Sequence, residues 1–315
     1  MAENQLKTLE DQLRPVPPAK ALREIALAVP SDCRKNIIII GSLAVGYHYF
    51  GQQEDIVVRT KDADCLLSPR IAAIPAGIAI AERLMGVGWT FKRSGNHTEP
   101  GTASTPDSEL PAVRLCPPGQ SEWFIELLAV PELLSDRNQQ WSRLETRFGH
   151  FGICSFGFLS LTSYRPSLTD LGVYVARPEM MALANLLEHP NIWPETMSGG
   201  FAGRADIKRS NKDLGRVLAI ARLATARDED AMLSWPGLWD ESLRDRFPAE
   251  WMVLARGVGN GMRALLASEV DLEQAWFTCR YGLLASAPPT FDAFRLVGER
   301  ALIDAITPLE SMGRI

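Results

Sequence analysis

Asp62 and Asp64 stand two residues apart in a run, residues 57–67, that reads as a β-strand. Alternate strand residues leave the same face of a sheet, so both carboxylates emerge together. Held side by side they repel unless a cation sits between them, and hard oxygen ligands on a rigid strand suit Mg²⁺. Upstream, the β-branched run Ile37 to Ile40 reads as a buried strand. Gly41 and Ser42 break it, and residues 43–50 continue as a helix with Ser42 as the expected N-cap. A strand, Gly-Ser turn and helix start aim free backbone N–H groups at one point, a place that suits phosphate. Glu126 lies in a further strand, residues 121–130, with Trp123, Ile125 and Leu127 on one side and Phe124, Glu126 and Leu128 on the other. An acid in mid-strand is costly unless something charged meets it.

Each feature alone has an ordinary alternative. The Asp pair could be a solvated edge beside Arg59 and Lys61, the Gly-Ser a plain turn, and Glu126 a core acid paired to an arginine elsewhere. Their order in the chain lifts them above that. Three carboxylates on two strands, next to a phosphate-cradling turn, are what two-metal phosphoryl transfer requires.

This set resembles the DNA-polymerase-β-like nucleotidyltransferase superfamily. Its signature runs hydrophobic-Gly-[Gly/Ser], then [Asp/Glu]-hydrophobic-[Asp/Glu], then hydrophobic-[Asp/Glu]-hydrophobic. Here those are Ile40-Gly41-Ser42, Asp62-Ala63-Asp64 and Ile125-Glu126-Leu127. Within the superfamily the chain looks most like minimal bacterial enzymes grouped with the abortive-infection toxin branch, through Arg59-Thr60-Lys61-Asp62-Ala63-Asp64. The catalytic resemblance covers residues 36–130, with a weaker echo at 178–189 and at Lys212-Asp213.

The resemblance implies that Gly41 and Ser42 bind a nucleoside triphosphate, and that Asp62 and Asp64 hold two Mg²⁺ ions, with Mn²⁺ as a substitute. It implies that Glu126 joins one metal or acts as general base on an acceptor hydroxyl. Lys61 could touch a phosphate, although alternation with Asp62 points it to the opposite face. Lys208, Arg209, Lys212, Asp213 and Arg216 recur at helical spacing. The family-like reading is a basic helix facing the triphosphate or an RNA acceptor; the plainer one is a solvated face held by Arg209–Asp213 and Asp213–Arg216 pairs. In the toxin branch a lysine commonly follows the last strand; this chain has Asn185 there. That lost charge would weaken triphosphate binding or shift it to another residue.

The expected activity is Mg²⁺-dependent transfer of a nucleotidyl group from an NTP to a hydroxyl on a tRNA end, a protein or a small molecule. A toxin role with an antitoxin partner comes with the resemblance. The alternative is an inactive descendant that keeps the fold as a binding or regulatory protein, favoured by Asn185 and opposed by the intact acids. A third reading makes the acids ordinary surface charges, with Asp62 and Glu126 far apart.

The rest of the chain must position these groups. Its 315 residues, 46% hydrophobic and 23% charged, suit a globular protein of one large or two ordinary domains. A net charge of −5 does not advertise nucleic acid in bulk, and no DNA duplex is expected as partner. Cys33, Cys65, Cys116, Cys154 and Cys279 are scattered with no Cys-x-x-Cys, which points to reduced thiols in a cytoplasm. The N-terminus is polar and acidic, unlike a signal peptide, and no run approaches the roughly 18 apolar residues of a membrane span. None of the four histidines shares metal-ligand spacing with another.

Helices are expected over residues 2–29 (interrupted at Pro15, Pro17 and Pro18) and 70–85. Short strands are expected over 88–92 and 112–116, with a surface loop before residue 110. The last strands are expected over 153–161 and 171–176. Beyond them the text is helical: 178–188, 207–226, 241–246, 249–266, 272–284 and 291–306. Trp193, Trp235, Trp239 and Trp251 are expected in the core of that half. The fold class is therefore α/β (α+β), a short mixed sheet flanked by helices over residues 1–176, followed by a helical domain over 177–315.

Overall fold

The computed structural model describes residues 14–51, 53, 56–60, 62–93, 95, 97–119, 123–197 and 201–314. The fold is mixed α+β and divides into two compact units. One comprises Val16–Ile56 and Thr60–Arg177; the other includes Val57–Arg59 and Pro178–Ile315.

Strands β1 (Arg14–Val16) and β3 (Val58–Thr60) stand outside the main sheet of the α/β unit. That sheet is built on β2 (Ile37–Ile40), β4 (Asp62–Leu67) and β7 (Phe124–Ala129). β2 runs antiparallel to β4, and β4 parallel to β7. Beyond β7 lie β6 (Arg114–Cys116) and the edge strand β5 (Thr90–Phe91), both antiparallel to their neighbours. The hairpin of β8 (Gln140–Thr146) and β9 (Gly149–Ser155) joins the far end of β7 through Leu128 and Cys154. On the other side of β2 come β11 (Tyr174–Val175) and β10 (Ser167–Leu168).

The three central strands have unequal faces. Ile37, Ile39, Ala63, Cys65, Leu67, Ile125 and Leu127 alternate onto one face and are all buried. Helix α1 (Pro18–Ala28) precedes the sheet, α2 (Gly41–Phe50) leaves β2, and α3 (Arg70–Gly86) leaves β4. α3 lies close enough for Gly77 to approach Leu67 and Leu144, where a Cβ would stand 3.3 and 3.0 Å away. The opposite face begins apolar at Ile38 and Leu66 and turns polar at Asp62, Asp64 and Glu126, all three half-buried. A short helix α4 (Leu159–Thr162) completes this unit.

The second unit is helical: α5 (Pro178–Ile192), α6 (Arg209–Arg227), α7 (Trp235–Arg246), α8 (Trp251–Gly257), α9 (Asn260–Ala267), α10 (Glu269–Tyr281), α11 (Phe291–Ala301) and α12 (Thr307–Met312). α6 runs through its middle, burying Leu214, Val217, Leu218, Ile220 and Ala221. Gly215 lets α10 come near, since a Cβ there would sit 2.8 Å from the Ala275 carbonyl oxygen. No helix among the described residues is long and apolar enough to cross a membrane.

Several boundaries differ from expectation. The strand read over 57–67 is two strands, β3 and β4. α2 starts at Gly41, so Ile40 rather than Ser42 occupies the N-cap position, with no side-chain cap. Residues 14–16 form a strand where a helical lead-in was expected, and the part of that lead-in before residue 14 lies outside the described residues. The strand expected over 153–161 ends at Ser155 because Gly157 takes a positive φ of 51°, and α4 follows. β8 was missed: Leu144 is its one buried residue, so it carries no apolar run to read. The helix expected over 249–266 is cut between Gly257 and Asn260, where two glycines favour leaving the helix. Trp193 is 50% exposed, against the expected core position, and the Lys208 ammonium lies 5.6 Å from its ring centre.

Candidate active site

The sheet register brings the sequence-predicted acids into one row. Ile40 pairs with Asp64, Asp64 with Glu126, and Glu126 with Arg114 across β2, β4, β7 and β6. Register partners project from the same face, so Asp64, Glu126 and Arg114 stand side by side. Asp62 lies on that face one pleat away, opposite Phe124. The reading in which Asp62 and Glu126 are distant surface charges does not describe this sheet.

Gly41 sits where β2 ends and α2 begins, with φ at 72°. Glycine adopts that value without the steric penalty of a Cβ. A Cβ there would also lie 2.6 Å from Asp64 Oδ2. The Asp64 carboxylate therefore approaches the start of α2, where unsatisfied N–H groups and the helix dipole favour negative charge. Ser42, the second residue of α2, is half-buried at this end.

Asp62 is oriented from its own chain. Thr60 Oγ1 donates to Asp62 Oδ1 at 3.1 Å and to its backbone oxygen at 3.0 Å. Thr60 is 8% exposed, so its hydroxyl is fixed in a site with little water.

Glu126 has found the cation that its burial demands. Arg114 Nη2 donates to Oε1 at 3.0 Å, between side chains 37% and 15% exposed. Burial raises the Glu126 carboxyl above its ordinary value; the Arg114 hydrogen bond and charge pull it down, Asp62 pushes it up, and the net shift is upward. Burial lowers the Arg114 value, but the Glu126 hydrogen bond and the charges of Glu126, Asp62 and Asp64 outweigh it, giving a net rise. Arg114 thus feels all three carboxylates. Sequence reasoning passed over Arg114; the signal available was the cost of an unpaired acid in mid-strand, which demanded a partner without naming it.

Among the described residues no group of three or more His, Cys, Asp and Glu side chains is placed to hold a metal ion. Asp62 and Asp64 present hard oxygen atoms, the donor type that divalent cations prefer, from one strand face. Glu126, expected as the third ligand, is held by Arg114.

Lys61 lies outside the described residues. The basic positions of the second domain belong to the helical unit, where the expected internal pairs do not form among the described residues. Arg209 Nη1 lies 3.8 Å from Glu195 Oε2, Asp213 is buried at 9% exposure, and Lys212 and Arg216 are half-buried. Lys208 Nζ donates to Asp271 Oδ1 at 2.8 Å, and Asn211 Nδ2 shares that oxygen at 2.8 Å while also meeting Gln274 Oε1 at 2.9 Å. Lys208 is therefore committed to a network that ties α6 to α10. Asn185 is half-buried on α5.

The chain matches no family model, no curated protein and no solved structure.

Proposed function

We propose that the α/β unit is a Mg²⁺-dependent nucleotidyltransferase, with Mn²⁺ as a substitute metal. The observation that carries this reading is the approach of Asp64 to Gly41, with Glu126 in register beside Asp64. A phosphate-receptive helix start and the carboxylates of two strands then share one small region.

In this reading the N–H groups at Gly41 and Ser42 receive the triphosphate, and Asp62 and Asp64 hold the metal. Bound there, Mg²⁺ neutralises charge that develops on the phosphate oxygens during in-line displacement. The acceptor hydroxyl oxygen forms a bond to the α-phosphorus as the bond to pyrophosphate breaks. Glu126 takes the hydroxyl proton; its raised value brings it nearer the working range of a general base. Thr60 keeps Asp62 in place. The acceptor belongs to a tRNA end, a protein or a small molecule, and a cytoplasmic toxin with a protein antitoxin is one form of this reading.

A second reading, an inactive nucleotidyltransferase-fold binding protein, is favoured by the Arg114–Glu126 pair and by Asn185. Thermal unfolding with Mg²⁺ and each NTP, singly and together, separates the two, because a ligand of the native state raises the midpoint. The enzyme reading expects a joint rise that the Asp62→Ala/Asp64→Ala variant loses. No shift with any nucleotide leaves the inactive module.

A further inference from the structure

The acidic face carries its own cation. Arg114 spans from Glu126, 3.0 Å away, toward the Phe124 ring, whose centre lies 5.8 Å from Cζ. Lys92 approaches the same ring, with Nζ at 5.3 Å. Arg114 Nε is buried without a hydrogen-bond partner, so the present pose leaves one of its donors unmet. That pose is good for Glu126 and imperfect for Arg114.

Exposure decides which partner can leave. Glu126, at 15%, would strand a buried charge if its cation were lost; Arg114, at 37%, can turn its head to water along the Phe124 face. While ionised, Glu126 therefore needs a cation beside it, but not this one. A divalent ion at Asp62 and Asp64 would bring greater charge to the same place and repel the guanidinium.

We propose that Arg114 is a positioning residue that competes with the divalent cation for Glu126, holding the carboxylate in the metal-free protein and releasing it when metal binds. The inference rests on the nucleotidyltransferase reading, since it takes the metal as the competitor. It explains why the third acid of the set is engaged by a cationic side chain of its own face.

The test is Mn²⁺ binding without nucleotide near pH 8, followed by calorimetry and by the paramagnetic signal of free Mn²⁺. The proteins are wild type, Arg114→Gln, Arg114→Lys and Asp64→Asn. Removing the competitor should tighten Mn²⁺ by about five- to tenfold in Arg114→Gln. Arg114→Lys, which keeps the charge but loses the planar fork, should fall between that variant and wild type, and it carries the test if Arg114→Gln does not fold. Asp64→Asn should abolish binding. Equal or weaker Mn²⁺ binding by the Arg114 variants, still abolished by Asp64→Asn, overturns the role of Arg114 and leaves the metal site standing. No Mn²⁺ bound by wild type or by either Arg114 variant overturns both.

Discussion

Gly41 and Asp64 meet so closely that a Cβ on Gly41 would lie 2.6 Å from Asp64 Oδ2. The contact joins two elements, the start of α2 and the DxD strand β4, through the absence of a side chain. It places a carboxylate against the positive end of a helix, an arrangement worth about 0.3–1 kcal/mol at an exposed site and more when partly buried.

Gly41→Ala faces both a clash and a positive φ. We expect a loss of about 2–3 kcal/mol in urea unfolding. Gly237→Ala is the control, because Gly237 lies within α7 and a Cβ there meets nothing within 4 Å. It should be neutral or stabilising by up to about 1 kcal/mol. Equal effects of the two substitutions would mean that Gly41 is an ordinary turn glycine.

Thr60→Val removes the hydroxyl that orients Asp62. The expected cost is about 1 kcal/mol of stability. A smaller Mg²⁺-dependent rise in the unfolding midpoint should accompany it. Unchanged Mg²⁺ response with lost stability would confine Thr60 to a structural role.

Glu126 sets a pH dependence with a definite sign. Its folded value is raised above the ordinary 4.5, first by burial, so the folded chain holds this proton more tightly than the unfolded one. The stability that this group contributes is present at low pH and declines as pH rises from about 4.5 through the folded value. The stability of wild type relative to Glu126→Gln should therefore fall as pH rises above about 4.5. Urea titrations at several pH values measure it, and a difference that grows with pH would show the Arg114 pair outweighing burial.

In the helical unit, Lys208→Met breaks the 2.8 Å pair with Asp271. Burial pushes the Asp271 carboxyl up, but hydrogen bonds from Lys208, Asn211 and Ser268 outweigh it and hold the value below 3.8. That stabilisation is present above the unfolded value and is lost as pH falls through the folded one. Both side chains are partly exposed, so the cost near neutral pH should be about 1 kcal/mol. Lys212→Met should change stability by less than about 0.5 kcal/mol. A loss at Lys212 as large as that at Lys208 would place it in the same network.

Much of the site was legible before any folding. The isoleucine run, the Gly-Ser break and the alternation around Asp62, Asp64 and Glu126 place these residues on strands and faces that β2, β4 and β7 reproduce. The helical text after residue 177 was equally plain, because long apolar periods leave little ambiguity. What was illegible had weak local marks. β8 hides in QWSRLET with one buried residue, and Arg114, although it lies in the strand expected over 112–116, carries no local mark of the acid it meets. Trp193 looked like core by residue type, yet exposure depends on what packs over a ring.

By itself, the sequence determined which side chains share a face: periodicity is local, and a strand alternates whatever its partners are. Only the tertiary structure decided which faces meet. Glu126 lies beside Asp64 because β4 and β7, far apart in the chain, pair in one register, and Arg114 lies beside Glu126 because the neighbouring strand β6 pairs with β7. A slip of one residue would send every side chain of a strand to the other face, and burial of the apolar face forbids it. The apolar residues thus set the register, and the charged ones, carried along by it, become a site.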